Sequence, residues 1–551
     1  MTKFYETVLK VLKQDNRFFT EEGVLLRNAV YEAAMQMDTN LIHLLLTNDI
    51  TKEHFFKEVD GITVFDKVEF GWVVNNREFL PDSYTRFKNK IGLVNNNGDI
   101  ISSTGNVELI FPYKDCVLEG GQTKEEQKRK EIFYNETLSP DEIDRLLYPK
   151  VLTNAKRYTA DGIENITSIS PMDNLIIKGN NLLAISSLLK NFEGKVRCIY
   201  IDPPFNTQKD DFEYNDNFNH STWLTFMKNR LAIAKRLLAS DGSIFVHLDF
   251  HESHYAKVLM DEIFGRECFR NNIVWCYTGP SGSNNFLPRK HDDILYYGKT
   301  ENNKYHIQYI EHKSGVHNSG QVFGSTEVID NFKSEAEEKG KKLEDFWLDI
   351  YSTDRYRSEM LGFAGQKPEK LIQRILNIST DENDIVLDFH LGSGTTAAVA
   401  HKMKRQYICI EQMQAQLDIS LNRLVNVING EQTGISKDVN WQGGGSFVYC
   451  ELAKANQNFV DEIQTATTVD KIKDIYNRII ETGFISSKVN PKDIDYNADD
   501  FYSLSIDDQK RFLMELLDKN LLYVNYCDID DEEYGISAED KAFTRSFYGE
   551  V

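Results

Sequence analysis

The amino-acid sequence predicts an α/β protein whose central sheet is largely parallel and covered by helices on both faces. Between residues 166 and 299, short and nearly continuous apolar runs such as NLIIKG, VRCIYI and SIFVHLD alternate with helical patterns such as LLAISSLLKNF. Two more strands of the same kind, DIVLDFH and QYICIEQ, follow between residues 351 and 445. Strands that are apolar throughout are typical of parallel sheets buried on both sides.

Five regions are expected along the 551 residues, because one hydrophobic core rarely supports a chain of this length. Residues 1–165 combine helical spacing with the strand-like pieces ITVF, EFGWVV and VELIFPY, and with a capping box at SPDE before a short helix. Residues 166–299 and 351–445 are the two halves of the sheet domain. Residues 300–350 are polar and interrupt the alternation as an insertion. Residues 446–551 are an acidic, mainly helical appendage with a helix through RFLMELLDK.

Composition argues against several classes of protein. Seven cysteines lie singly, without a Cys-x-x-Cys pair, so we expect free buried thiols rather than a zinc site or a disulfide framework. No run approaches the roughly 18 apolar residues of a membrane span. The first residues, MTKFYETVLKVLKQDNRFF, lack the apolar run of a signal peptide, so a cytoplasmic protein without membrane association is expected.

The net charge of −22 weakens the case for a nucleic-acid partner, because contacts to phosphates need Lys and Arg. The charge is unevenly spread, however. Residues 451–551 carry 22 Asp and Glu but only 11 Lys and Arg, so their net charge of −11 is half of the net charge of the whole chain. A basic surface around one cleft therefore stays compatible with the composition.

The most informative motif is Asp202-Pro203-Pro204-Phe205, at the end of the strand VRCIYI. A carboxylate at the carboxyl end of a parallel strand lies where α/β folds bind ligands. Two prolines remove two backbone donors, so the surrounding carbonyls are expected to be free acceptors. Asp202 and the Pro203 carbonyl are suited to accept both N–H bonds of an exocyclic amino group, while Phe205 stacks on the base. A rigid strand-end turn is the alternative interpretation.

A second motif runs from Asp388 to Thr396 and contains Gly392-Ser393-Gly394, between the strand DIVL and the helix AAVAHKM. Glycines at a strand-to-helix turn let a cofactor approach the backbone at the helix N-terminus. Glu411 ends the next strand, 17 residues after Gly394. An acid at that place can bind both hydroxyls of a ribose. The second glycine is followed by Thr395 and Thr396 and not by a Lys with Ser or Thr after it, which excludes a phosphate-binding P-loop.

Together these motifs resemble the β-class amino-methyltransferases of DNA. The resemblance rests on the Asp202 tetrad, on the glycine loop, and on Gln366-Lys367-Pro368 ahead of that loop, with the catalytic motif preceding the cofactor motif. Longer segments, among them IKGNNLLAISSLL and FVHLDFHESHYAKVLMDEIFG, resemble the Mod subunit of type III restriction–modification systems. This second resemblance covers most of residues 60–420 and the C-terminal segment FLMELLDKNLLYVN.

The resemblance implies a circularly permuted, Rossmann-like sheet that uses S-adenosyl-L-methionine and methylates adenine N6 in double-stranded DNA, with no metal required. It also implies a helicase–nuclease restriction subunit as partner. The target-base pocket implied by the resemblance consists of Asp202, Pro203, Pro204 and Phe205. The implied cofactor site consists of Asp388, Phe389, Gly392, Gly394, Thr395, Glu411, Asn180, Lys367 and Pro368.

The same resemblance assigns DNA recognition to residues 300–350. The lysines of this region are balanced by acidic residues, and they are Lys304, Lys313, Lys339, Lys341 and Lys342. Because the region is short, we expect a homodimer in which one protomer reads the DNA and the other receives the adenine. The aromatic run from Phe212 to His220 either fills the gap left by a flipped base or forms a surface loop.

Three alternative functions stay open. Cytosine N4 is also an exocyclic amine, although Asp at the first position of the tetrad favours adenine within this family. The chain can instead act mainly as a recognition scaffold for a helicase–nuclease partner, or methylate an amide of RNA or protein. His247, Asp249 and His251 have metal-like spacing but are expected to be polar strand-end residues, and His390 is expected to be a packing residue.

Overall fold

A computed structural model of the chain describes residues 2–19, 25, 27–59, 62–67, 70, 146–206, 220–277, 285, 287–310, 341–363, 365–485, 501, 503–518 and 521–550. These residues belong to two compact units, Met1–Gly92 and Leu93–Val551. Within the described ranges, no helix combines the length and the apolarity needed to cross a bilayer.

The described residues of the first unit form four α-helices and one pair of antiparallel strands. Its elements are α1 (Thr2–Leu12), α2 (Arg27–Met35), α3 (Thr39–Leu46), α4 (Asp49–Phe55), β1 (Phe56–Val59) and β2 (Ile62–Phe65). Asp38 and Asn48 begin α3 and α4, because their side-chain oxygens accept N–H groups of the first turn. The expected helices and the ITVF strand are confirmed. The VELIFPY and SPDE segments, and EFGWVV apart from Phe70, lie outside the described residues.

In the described part of the second unit, eleven strands form one sheet and two short strands form a separate antiparallel pair. The strands in chain order are β3 (Leu152–Thr159), β4 (Gly162–Asn165), β5 (Leu175–Lys178), β6 (Val196–Ile201), β7 (Leu238–Leu248), β8 (Phe269–Cys276), β9 (His291–Gly298), β10 (Tyr309–Ile310), β11 (Lys341–Lys342), β12 (Phe346–Trp347), β13 (Ile385–Asp388), β14 (Gln406–Glu411) and β15 (Phe447–Leu452). Across the sheet their order is β12-β8-β9-β7-β6-β13-β14-β5-β15-β3-β4, and β10 pairs with β11.

Six neighbouring strands, from β7 to β15 in that order, run parallel to one another. Successive residues of β6 face opposite sides, so Ile199 and Ile201 enter one core while Cys198 and Tyr200 enter the other. The first core includes α5 (Asn181–Phe192), α6 (His220–Leu237) and α7 (Ser253–Phe264). The second includes α8 (Glu369–Ser379), α9 (Thr395–Lys402) and α10 (Gln414–Ile428). The expected parallel sheet with two covered faces is confirmed.

The two halves of the sheet domain meet where β13 lies between β6 and β14. Val386 and Leu387 of β13 pair with Cys198 and Ile199 of β6, although nearly two hundred residues of chain separate the two strands. The strand that leads into the glycine loop is therefore central in the sheet but late in the chain. This arrangement is the expected circularly permuted, doubly wound order.

Helix α6 is shorter than its sequence pattern predicts. The run LTFMKNRLAIAKRLLASDG indicates helix throughout, but α6 ends at Leu237 and Leu238 already begins β7. Leu238 is fully buried and pairs with Val196 at the start of β6. Sheet pairing and burial override the helical spacing at this end, because strand hydrogen bonds satisfy a backbone that lies inside the core.

The described part of the last hundred residues contains the helices α11 (Gln457–Thr465), α12 (Val469–Thr482), α13 (Ile506–Leu516) and α14 (Ala538–Phe547). Ser505 begins α13 by accepting the Asp508 N–H. Strands from both ends of the chain join the large sheet: β3 and β4 come from 1–165, and β15 comes from 446–551. The five-region division of the chain itself stays a prediction.

A buried ion cluster joins the helices on the second face of the sheet. Glu369, the first residue of α8, accepts hydrogen bonds from Lys402 of α9 at 2.9 and 3.0 Å and from Arg423 of α10 at 3.0 Å. Burial alone would raise the pKa of Glu369, yet the two cations leave it below its ordinary value. Lys402 also reaches Glu431 at 3.0 Å. The cluster therefore neutralises its charges internally and orients the start of α8.

We expect Glu369→Gln to destabilise the protein by about 3–5 kcal/mol, because Lys402 and Arg423 then lose a charge partner inside the core. Equilibrium urea unfolding measures the change in the free energy of unfolding. Glu431→Gln is the matched control, because this partly exposed residue is the second partner of Lys402, and its loss leaves the ammonium paired with Glu369 at an expected cost under ~1 kcal/mol. Equal free energies of unfolding for both variants would contradict the structural role of Glu369.

Candidate active site

Four neighbouring strands place polar side chains along one edge of the sheet. The strands β6, β13, β14 and β5 are adjacent and parallel, and their carboxyl ends carry Asp202, Asp388, Glu411 and Asn180 respectively. Parallel strands align all their carboxyl ends, and ligands of open α/β sheets bind there. The two motifs that are distant in the sequence therefore meet at a single cleft edge.

Asp202 forms an ion pair with Lys367. The Lys367 ammonium lies 2.5 Å from Asp202 Oδ2 and 3.1 Å from the Gly365 carbonyl oxygen. Lys367 is 8% exposed, so it is not a solvated charge at a helix start. The other carboxylate oxygen, Asp202 Oδ1, is buried and has no hydrogen-bond partner among the described residues. The tetrad therefore presents one occupied and one unoccupied carboxylate oxygen.

The two proline carbonyls of the tetrad differ from the expectation that both are free. Trp223 of α6 donates its indole N–H to the Pro204 carbonyl at 2.7 Å. The Pro203 carbonyl accepts no hydrogen bond from the described residues, so it is the one left for a ligand. The ring of Phe205 stacks on His247 with centroids 5.8 Å apart and planes at 29°. Phe205 is therefore held from one side by an imidazole.

Glu252 contacts both Asn206, which directly follows the tetrad, and His220, the first residue of α6. Its Oε1 accepts a hydrogen bond from Asn206 Nδ2 at 2.5 Å and lies 2.8 Å from His220 Nδ1. Asn206 directly follows Phe205 and has a left-handed backbone, with φ of 58°. Glu252 is fully buried, and burial raises its pKa. Its contacts fix the backbone at the end of the tetrad.

The glycine loop adopts the conformation that its residues allow. Gly392 and Gly394 have φ of 53° and 77°, values that residues with a side chain rarely adopt. Ser420 of α10 donates to the Gly392 carbonyl at 2.5 Å, and its Cβ lies only 3.1 Å from where a Cβ on Gly394 would stand. Thr395 donates to the Lys367 carbonyl at 3.1 Å, which ties this loop to the Lys-Pro motif.

Two buried carboxylates lie beside the loop with raised pKa values. Burial raises the pKa of Asp388 to about 7, and the charges of Asp202 and Glu411 act in the same direction. Burial raises the pKa of Glu411 to about 6. Glu411 accepts the Gly392 N–H at 3.0 Å and two further backbone N–H groups at 2.8 Å. A ligand that donates hydrogen bonds or carries positive charge stabilises their ionised forms.

Asn180 begins α5 rather than presenting a free amide oxygen. Its Oδ1 accepts the Leu182 N–H at 3.0 Å and the Leu183 N–H at 3.4 Å, and its own backbone N–H donates to Tyr523 at 3.2 Å. A contact between that oxygen and the amino group of an adenine would compete with this cap. The neighbouring Asn181 donates to the Phe389 carbonyl at 2.9 Å and so links α5 to the glycine loop.

The histidines singled out in the sequence have separate surroundings. His247 Nε2 lies 3.1 Å from Asp292, whereas His251 Nδ1 lies 2.6 Å from Asp249. His390 has a buried Nε2 without a hydrogen-bond partner in the described part of the chain, and burial lowers its pKa to about 3. A neutral, enclosed imidazole agrees with the packing role expected for His390.

Sequence reasoning missed Trp223, Glu252 and Glu369. Trp223 and Glu252 act on the tetrad across 19 and 46 residues of chain, and no spacing pattern marks such contacts. Glu369 had a recognisable signal, since it directly follows Lys367-Pro368 at the first position of a helix, where acidic residues are favoured.

Two lysines expected to contact DNA have acidic partners within the protein. Lys304 lies 2.5 Å from Asp381 and 3.0 Å from Asp384, and Lys341 lies 2.5 Å from Glu344. Lys313 and Lys339 lie outside the described residues. Acidic residues of the same chain therefore offset the charges of Lys304 and Lys341.

Together the permuted parallel sheet, the glycine loop at its centre and the adjacent acidic tetrad define the class of nucleic-acid amino-methyltransferases. Residues 196–422 match a family model described as DNA methylase, and residues 38–93 match one described as type III restriction/modification enzyme methylation subunit. The probable HindVI Mod subunit of Haemophilus influenzae, a type III restriction–modification enzyme, is 35% identical over 96% of this chain and 96% of its own length. The chain belongs to the family of type III restriction–modification Mod subunits.

Other known proteins are similar over shorter stretches. The EcoP15I Mod subunit of Escherichia coli is 33% identical over 23% of this chain and 24% of its own length. Among solved structures, M1.HpyAVI in complex with SAM covers 45% of this chain at 19% identity and a TM-score of 0.31. The cytosine-N4-specific PvuII methyltransferase covers 56% at 17% identity and a TM-score of 0.31.

The chain is thus a DNA methyltransferase of the class that uses S-adenosyl-L-methionine. The residues present fit this cofactor. Gly392 and Gly394 add no side chains of their own to the turn before α9, and a Cβ on Gly392 would meet nothing closer than Phe363 at 3.5 Å. The carboxylates of Glu411 and Asp388 suit hydroxyl donors and a cationic ligand.

We expect Gly394→Ala to lower the affinity for S-adenosyl-L-methionine by at least ~10-fold, because the left-handed backbone and the Ser420 contact would shift the loop. Isothermal titration calorimetry measures the dissociation constant. Gly535→Ala is the control, since its φ of 60° has the same strain while nothing lies within 4 Å of the added Cβ. Cofactor affinity unchanged in Gly394→Ala would remove this loop from the cofactor site.

Proposed function

We propose that this Mod subunit transfers a methyl group to the N6 amino group of an adenine in double-stranded DNA. The observation that carries the proposal is the buried Asp202 Oδ1, which has no partner among the described residues while Lys367 occupies Oδ2. A buried carboxylate oxygen without a donor is costly. An exocyclic amino group donates two N–H bonds, and Oδ1 and the Pro203 carbonyl offer two acceptors.

Accepting both N–H bonds concentrates the lone pair on the amino nitrogen, which is otherwise delocalised into the base. Phe205, supported by His247, offers a face on which the base stacks, and so holds the nitrogen in line for transfer. When bound, S-adenosyl-L-methionine supplies the electrophilic methyl group. Asp202 Oδ1 is then the nearest carboxylate oxygen to receive the proton that the methylated nitrogen releases.

On the cofactor side, Glu411 is proposed to bind the ribose hydroxyls and Asp388 to face the cationic part of the cofactor. Gly392, Gly394 and Thr395 shape the loop beneath it. Phe389 is held through its carbonyl by Asn181 and closes the floor of the site. Asn180 and Lys367-Pro368 border its two ends. The raised pKa of Glu411 supports this assignment. Burial disfavours its ionised carboxylate, and hydrogen bonds donated by the ribose hydroxyls would stabilise that ionised form.

An adenine within a duplex cannot reach this recessed edge, so the proposal includes extrusion of the base from the helix. A restriction subunit with helicase and nuclease activity is the proposed protein partner, and the cytoplasm the proposed site of action. Support comes from membership of a family whose named members are subunits of restriction–modification enzymes.

Long-read sequencing of DNA from cells that express this chain alone tests the choice of base and reports the recognition sequence. N6-methyladenine at one sequence context is the expected result. N4-methylcytosine would overturn the choice of adenine, and unmodified DNA from a folded, cofactor-binding protein would favour a recognition scaffold. Digestion of the same DNA to nucleosides provides an independent identification of the methylated base.

We expect Asp202→Ala to reduce methyl transfer by at least ~100-fold while the cofactor affinity stays nearly unchanged, because the carboxylate acts on the target base. Incorporation of labelled methyl groups into unmethylated DNA measures the rate, and equilibrium dialysis measures cofactor binding. Asp438→Ala, at an exposed carboxylate, is the control. An Asp202→Ala rate within ~10-fold of wild type, about 1.4 kcal/mol of barrier, would contradict the role of Asp202.

We further propose a homodimer in which one protomer reads the DNA and the other receives the adenine. The ion pairs of Lys304 and Lys341 with acidic residues of the same chain support it, because these charges are then less available to phosphates of the DNA. On an asymmetric recognition sequence, only one of the two pockets of the dimer then receives an adenine. Methylation is therefore expected on one strand only.

Light scattering of the purified protein should therefore give twice the 63.6 kDa of one chain. Mixing Asp202→Ala with a variant that lacks residues 311–340 should restore activity, since each inactive chain keeps the function that the other has lost. A stable, active monomer would refute the dimer. A verified mixed dimer without activity would refute the division of labour.

A further inference from the structure

Lys367 contacts the proposed target-base pocket rather than only bordering the cofactor. Its ammonium pairs with Asp202 Oδ2 at 2.5 Å and lies 4.8 Å from the centroid of the Phe205 ring. Two of the four tetrad side chains therefore lie against one cation. Both members of the pair are largely enclosed, with side-chain exposures of 9% for Lys367 and 21% for Asp202.

The backbone that carries Lys367 is fixed from several directions. Thr395 donates to the Lys367 carbonyl at 3.1 Å, and Thr353 donates to the Gln366 carbonyl at 2.6 Å. The next helical residue, Glu369, receives a backbone cap from the buried Glu359 at 2.9 Å. The ammonium thus extends from an anchored helix start, so its position is set by the fold and not by a flexible surface chain.

An anchored ammonium on Oδ2 determines which oxygen of Asp202 is available. A carboxylate rotates readily about its terminal bond, and an unheld Asp202 would present either oxygen in several directions. With Oδ2 held by Lys367, the unpartnered Oδ1 is the single acceptor left at a defined position. A misplacement of about 1 Å in the acceptor is enough to slow transfer by about 100-fold, because the nitrogen must lie in line with the methyl group.

We propose that Lys367 is a positioning residue for Asp202: its ammonium holds Oδ2 so that Oδ1 meets the amino group of the target base. The inference rests on the proposed function of Asp202. Lys367 then acts chiefly through the carboxylate and not through cofactor affinity. It also joins the two halves of the permuted domain chemically, since Asp202 follows β6 and Lys367 precedes α8 and β13.

The test separates the cofactor affinity from the rate of transfer. Lys367→Met removes the charge at similar length, and Lys367→Arg keeps it. Lys370→Met is the matched control, because Lys370 lies one turn further along α8, half exposed and 3.9 Å from Asp438. Equilibrium dialysis gives the dissociation constant for S-adenosyl-L-methionine. Single-turnover transfer at saturating cofactor, on DNA carrying the mapped recognition sequence, gives the rate.

We expect Lys367→Met to lower the single-turnover rate by about 100-fold while the dissociation constant for the cofactor changes by less than ~3-fold. Lys367→Arg should recover part of the rate, and Lys370→Met should behave as wild type. Combining Lys367→Met with Asp202→Ala should slow transfer no further than Asp202→Ala alone, since one residue acts through the other.

Three results would overturn the inference. A wild-type rate in Lys367→Met with a cofactor dissociation constant raised more than ~10-fold would make Lys367 a cofactor ligand only. If the losses in transfer rate add up in the double variant, Lys367 does not act through Asp202. Wild-type behaviour of Lys367→Met in both measurements would remove any role. Failure of Asp202→Ala to slow transfer refutes the proposed function separately, because that measurement involves no change at Lys367.

A thermal unfolding curve for each variant controls for misfolding. If Lys367→Met does not fold, Lys367→Arg carries the test on its own, because the guanidinium keeps the charge and changes the geometry of the pair. A reduced rate with unchanged cofactor binding in that variant supports positioning. A wild-type rate in Lys367→Arg would then overturn the proposal that the Lys367 ammonium must hold Asp202 Oδ2 at a defined position.

Discussion

The pairing of β13 with β6 is the constraint on which the site depends. In this pairing Val386 lies opposite Cys198 and Leu387 lies opposite Ile199. The half of the domain that comes later in the chain is thereby joined to the half that comes earlier. Because both strands are parallel, their carboxyl ends coincide, and Asp202 and Asp388 lie at one edge. The acidic tetrad and the glycine loop would otherwise belong to separate surfaces. Lys367, just before α8, then adds an ion pair across the same seam.

Two sets of buried charges lie near this pairing of β13 with β6, and they differ in whether all their polar atoms have partners. The cluster of Glu369, Lys402 and Arg423 is satisfied internally, so it orients α8, α9 and α10 without offering a group to a ligand. The Asp202–Lys367 pair leaves one carboxylate oxygen buried and without a partner in the described residues. An enclosed acceptor of this kind is unfavourable until a donor arrives, which is a property of binding sites rather than of structural cores.

The acids of the cofactor edge follow the same logic. Burial raises the pKa of Asp388 to about 7 and that of Glu411 to about 6, although backbone N–H groups already hydrogen bond to both. Near neutral pH the folded chain thus holds carboxylates in a partly unfavourable ionisation state. A cofactor that brings hydroxyl donors and a positive charge relieves this. These ionisation states support the proposal that this edge binds a cationic, hydroxyl-bearing cofactor beside an acceptor for an amino group.

The sequence by itself determined the features that depend on neighbouring residues. The apolar strands, the Asp202 tetrad at a strand end and the glycines at a strand-to-helix turn are local patterns, and the structure places them in the elements that those patterns predict. Only the tertiary structure decided which groups meet. Trp223 occupies one proline carbonyl, Asn180 uses its oxygen as a helix cap, and α6 ends early because Leu238 pairs with Val196. The Lys367–Asp202 pair spans 165 residues of chain, and contacts at such distances arise from packing, which no local periodicity encodes.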